Sequence, residues 1–197
     1  MENRIDKLLS SVAEDLWGVK PQEPAPAQPS AAPTQAYQPT FPPFEQLWKT
    51  ADETVDWTEA LIHAEPVDHL TSPRLWSFFH AHAKAVLEGD LHAYAEVLRT
   101  ANPLGDLRRY TDGMTIDVNS ADMLTARFTP AGAYMGDDAR RYLCGMALRI
   151  ARDLMAILPV TTVRVEAPGH LDVTFPRAQL QKVRFTFVDP VAFVESL

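Results

Sequence analysis

DDARRYLCGMALRIARDLMAILP, residues 137–159, decides how the chain is read. Leu143, Met146, Ala147, Ile150, Leu154, Ile157 and Leu158 recur at the spacing of one helix face. Asp137 and Asp138 stand where the positive end of a helix favours acids. Pro159 ends the run, because proline has no N–H to give. A helix from about Asp137 to Leu158 is therefore expected.

The pattern changes to period two on both sides of this helix. Upstream, Met114, Ile116 and Val118 alternate with Thr115 and Asp117, and Leu124, Ala126 and Phe128 follow the same rule. The Asn119-Ser120 region joins them as a hairpin. Downstream, Val163 and Val165 alternate with Arg164 and Glu166. Pro168-Gly169 is a turn pair, and Leu171, Val173 and Phe175 form the return strand. Pro176 to Lys182 reads as a short helical turn, Val183, Phe185 and Phe187 as a last strand, and Asp189-Pro190 as the cap of a terminal helix. The order β-β-α-β-β around one long helix predicts an α+β fold, with a mostly antiparallel sheet resting one face on that helix.

Residues 44–101 read as a helical half packed on this layer. Asp56 and Glu59 have capping-box spacing, Ser72-Pro73 is a helix start, and Asp90 caps a further helix that Asn102-Pro103 ends. Residues 44–197 thus form a single α+β domain, with residues 113–197 as the mixed half. Before it lie two segments of different character. Residues 1–17 place Ile5, Leu8, Leu9, Val12 and Leu16 on one face of a short amphipathic helix. Residues 18–43 contain eight of the 16 prolines, with Ala, Gln, Ser and Thr between them. That composition predicts a disordered, extended linker reaching roughly 3 Å per residue.

Leu87-Glu-Gly-Asp-Leu91, Asn102-Pro-Leu-Gly-Asp-Leu107 and the Leu148–Pro159 helix end resemble a bacterial domain family without an assigned function, over roughly residues 75–190. The resemblance implies an accessory component of the bacterial cytosol and transfers no site residues.

Composition narrows the chemistry. The 197 residues carry a net charge of −8 and one cysteine. A single Cys forms no internal disulfide and no multi-cysteine zinc site. The acidic balance disfavours broad nucleic-acid binding, which needs Lys and Arg against phosphate. No run approaches the ~20 apolar residues of a bilayer span, and the N-terminus lacks the apolar core of a secretory signal. A cytoplasmic protein with no membrane partner is expected. No phosphate-binding glycine loop and no nucleophile elbow occur. His80 and His82, two apart on a helix, point in different directions, so no metal or cofactor is expected. Cys144 lies within the long helix and reads as a buried thiol.

Charge is unevenly spread. Residues 44–96 carry −7 and residues 97–197 carry +1. Arg140, Arg141, Arg149 and Arg152 lie off the apolar stripe, as a candidate anion-binding face, and Arg127, Arg164, Arg177 and Arg184 extend it. Three functions are compatible with these features. The first is a non-catalytic adaptor whose tethered helix, through Ile5, Leu8, Leu9, Val12 and Leu16, docks on another protein. The second is a nucleic-acid accessory protein using the arginine face. The third is an enzyme with a site near Asp106, Asp112 and Asp117, or at Cys144. The adaptor reading is favoured.

Overall fold

The computed structural model describes residues 44–49, 54–66 and 71–197. The chain divides into two units, Met1–Thr40 and Phe41–Leu197, and all the described residues belong to the second. The expected helix over residues 1–17 and the linker over residues 18–43 lie outside the described residues.

A 3-10 turn, Phe44–Lys49, comes first, followed by α1 (Trp57–Ile62), α2 (Pro73–Leu87) and α3 (Leu91–Ala101). Their starts are built by the expected caps. The Asp56 carboxylate accepts from the Thr58 and Glu59 N–H groups, the Ser72 hydroxyl from Leu75, and Asp90 from His92 and Ala93. Such caps satisfy N–H groups that have no partner inside the helix, each worth about 1 kcal/mol. Asn102 ends α3 in the left-handed region, at φ 46°. A second 3-10 turn, Gly105–Tyr110, leads into the sheet.

Among the described residues the sheet has four strands, β1 (Thr111–Ser120), β2 (Met123–Pro130), β3 (Thr162–Ala167) and β4 (Leu171–Pro176), in the order β1-β2-β3-β4. The β1–β2 and β3–β4 pairs are antiparallel hairpins. The central β2–β3 pair is parallel, because α4 (Ala139–Ile157) carries the chain back to the starting end of the sheet. The result is the expected α+β fold with a mixed sheet. Register aligns apolar residues across one face: Val118 opposite Leu124, Leu124 beside Val163, and Val163 opposite Phe175. Leu124, Val163 and Phe175 are fully buried beneath it.

Two expectations need correction. Residues Val183, Phe185 and Phe187 do not form a strand. After Pro176 the chain turns into α5 (Arg177–Leu180), and the Phe187 and Val188 N–H groups donate to the Arg184 carbonyl, so the backbone is satisfied locally as a turn. The apolar side chains find other places: Phe185 lies over the Arg152 guanidinium, and Phe187 is 83% exposed. The terminal helix α6 (Pro190–Glu195) forms as expected, capped by Asp189.

The second correction concerns α4, which has no solvated face along most of its length. Every residue from Tyr142 to Ile157 is buried, including Arg149, Arg152 and Asp153. The sheet lies against one side, while the Phe44–Lys49 turn and α6 also pack against the helix. Leu148, Ala151 and Met155 fill the core together with the predicted stripe.

Gly89 closes the α2–α3 corner with φ +78°, and a Cβ there would stand 2.8 Å from the Ala121 Cβ in the β1–β2 turn. A side chain would be strained twice, by backbone conformation and by contact. Gly89→Ala is expected to cost about 1–3 kcal/mol in urea unfolding, whereas Gly132→Ala, with open space around it, should change stability by less than about 1 kcal/mol.

Candidate functional site

The most unusual chemistry in the domain is three charged residues buried in the middle of α4. Asp153 is fully buried, and Arg149 and Arg152 are 5% and 7% exposed. Burying a lone ion is costly, so such groups must satisfy one another. Arg149 Nε donates to Asp153 Oδ2, while Arg152 donates through Nε and Nη2 to Asp153 Oδ1, at 3.1 and 2.8 Å. The two guanidinium groups thereby share one carboxylate. Asp106, at the second 3-10 turn, approaches Arg149 Nη2 at 3.5 Å.

Each arginine uses a further N–H outside the cluster. Arg149 Nη1 donates to the Leu47 carbonyl at 3.0 Å, and Arg152 Nη1 to the Trp48 carbonyl at 2.8 Å. These carbonyls belong to the short turn through which the chain enters the body. The side chains of the same turn are also held. Trp48 fills the notch left by Gly145, where an added Cβ would lie 2.5 Å from its ring, and the Arg141 guanidinium lies 5.4 Å from the ring centre. Phe44 meets Tyr134 and Tyr142 edge-on. The arrangement is a clasp: Asp153 aims two arginines, the arginines hold two successive carbonyls, and Gly145 admits the indole. The Trp48 Nε1–H is buried without an acceptor among the described residues.

The candidate anion-binding face is therefore not assembled. Arg149 and Arg152 point into the core. Arg140 and Arg141 pair with Glu195 and Asp189 at α6. Arg177 donates to the carbonyls of Met155, Leu158 and Val160, closing the C-terminal end of α4. Arg127 and Arg164 lie on the outer face of the sheet between carboxylates. Asp117, Arg127, Glu166, Arg164 and Asp172 form an alternating chain across all four strands. Arg164 holds the Asp172 carboxyl below the usual range. Exposed pairs of this kind contribute little stability individually.

Arg184 is exposed, and the other singled-out residues have local surroundings that explain them. Cys144 is fully buried, and burial pushes its thiol above the ordinary value of 9.0. The His80 Nδ1 lies 2.6 Å from the Ala60 carbonyl, and His82 bridges the Phe78 carbonyl and Glu96. Asp106 faces Arg149 and Asp117 faces Arg127, so the candidate site at Asp106, Asp112 and Asp117 is not assembled as a carboxylate cluster. No metal-binding group of three acidic, His or Cys residues occurs among the described residues. No described helix is long and apolar enough to cross a membrane. Ile5, Leu8, Leu9, Val12 and Leu16 lie outside the described residues. The clasp escapes sequence reading because an arginine off the apolar stripe of a helix ordinarily faces water. Its signal is an acid four residues after Arg149, within a helix that is apolar on both sides.

Comparison with family models, curated proteins and solved structures finds no match to the chain.

Removing the shared carboxylate takes away the one acceptor among the described residues that both buried guanidinium groups use. Asp153→Ala is expected to destabilise the domain by about 3–5 kcal/mol in urea titration. At Trp48, Trp48→Ala should cost about 3–5 kcal/mol by emptying the notch, and Trp48→Phe clearly less, because it keeps a ring and removes an unsatisfied N–H. Alkaline pH should act through buried acids. Burial raises Tyr94, Tyr110 and Tyr142 above 10.0 and Cys144 above 9.0. The unfolded chain then loses these protons first, so their stabilising contribution is complete below the unfolded values and declines as pH rises through the folded ones. The urea midpoint should fall above about pH 9.

Proposed function

We propose that the protein is a non-catalytic adaptor of a bacterial cytosolic assembly, with a folded body and an N-terminal docking segment joined to it by the proline-rich stretch. The observation that carries this reading is the clasp at Leu47 and Trp48. It fastens the entering chain to the longest helix of the body through two buried arginines. An attachment of this kind suits a tether that must transmit binding at one end to a body at the other.

In this reading Ile5, Leu8, Leu9, Val12 and Leu16 form the apolar face laid into a groove on the partner. Short helices are marginal alone and gain stability by docking such a face. The linker raises the effective concentration of the body at a second contact once the helix is bound. The nucleic-acid reading is weaker, because Arg149 and Arg152 are committed to Asp153.

The test is capture from native bacterial lysate with the full chain, the Leu9→Asp variant and a form lacking residues 1–17, followed by affinity measurement with the purified partner. The expected result is a partner bound by the full chain and weakened at least about fivefold by Leu9→Asp. Equal binding by all three forms would overturn the docking helix.

A further inference from the structure

We propose that β1 is a self-pairing edge, through which two copies of this chain join their sheets across a two-fold axis. The inference goes beyond the adaptor reading and does not depend on it. In the strand order β1-β2-β3-β4, β1 is an outer strand paired on one side only among the described residues. Its outward N–H and C=O groups have no backbone partner among the described residues. Exposed edges of this kind are templates for another strand unless they are blocked. The opposite edge is poorer: β4 has six residues and ends in Pro176, whereas β1 has ten.

Burial along the sheet points to the same edge. Phe128, Ala126 and Leu124 of β2 are fully buried, while their β1 neighbours Met114, Ile116 and Val118 are only partly covered. A further strand would complete the apolar row. Register shifts at Thr111/Gly113 and Val118/Ser120 confine the regular part of β1 to Gly113–Val118.

That six-residue stretch is compatible with its own two-fold copy. Directly opposed residues in an antiparallel pair share a face. With Thr115 opposite Thr115 of the second copy, Met114 meets Ile116 and Gly113 meets Asp117. With Ile116 at the axis, Met114 meets Val118 and Thr115 meets Asp117. The Ile116 register places every apolar residue of the stretch against an apolar one; the Thr115 register does so for Met114 and Ile116 but sets Val118 against Asp112. Neither sets a carboxylate opposite its copy, and Asp117 is already compensated by Arg127 in its own chain. The register with Asp117 at the axis would oppose like charges and is disfavoured. A second copy therefore fits the edge without any new residue type.

The experiment is sedimentation equilibrium of the full chain up to about 100 μM, a range that detects weak pairing. Wild type should dimerise. Thr115 is exposed, so changing it leaves the body folded, as a melting curve should verify. Thr115→Asp opposes Asp to Asp in one register and Asp to Asp117 in the other, and should weaken the dimer at least about tenfold. Thr115→Lys separates the registers: it weakens the Thr115-centred dimer and strengthens the Ile116-centred one, where Lys faces Asp117. Hydrogen exchange of wild type should show amides in residues 113–118 protected as concentration rises. A monomer at all concentrations would overturn the proposal and leave the edge to a foreign strand. So would a dimer that Thr115→Asp does not change, or one without protection in residues 113–118.

Discussion

Asp153 sits in the middle of the 19-residue core helix, fully buried, and pairs with two buried arginines at once. The rest of the domain is organised to make that burial tolerable. Among the described residues, further donors of the two arginines are met by the Leu47 and Trp48 carbonyls and by Asp106. A satisfied buried network is no guarantee of high stability, since apolar residues of similar volume often do as well. What it supplies here is geometry. It brings three distant parts of the chain to one point: the entering turn, the turn before β1 and the core helix.

The sheet and the helix divide the remaining work. Apolar residues alternate with polar ones on every strand, so one face closes on α4 and the other carries the charge chain from Asp117 to Asp172. The parallel pairing of β2 and β3 arises from placing a 19-residue helix between them. Caps at Asp56, Ser72, Asp90 and Asp189 fix where helices begin.

The capped starts, the alternating strands and the long helix are legible because each depends on spacing within one segment. Val183 to Phe187 misleads because alternation states what a strand would look like and says nothing of whether an edge is available to receive it. Arg149 and Arg152 mislead for a related reason. Whether an arginine faces water depends on what packs over it, and the covering turn lies a hundred residues away in sequence. The burial of the Cys144 thiol is legible because its apolar neighbours are local.

The position of the clasp has a mechanical consequence. A turn held by single contacts would peel away residue by residue under load. Here the Phe44–Lys49 turn is held where Trp48 is wedged against Gly145 and two carbonyls are gripped side by side. A pull applied at Phe44 would meet several contacts at once and be delivered into the middle of α4. Releasing the strap would require uncovering buried charge, so detachment and loss of the fold become nearly the same event.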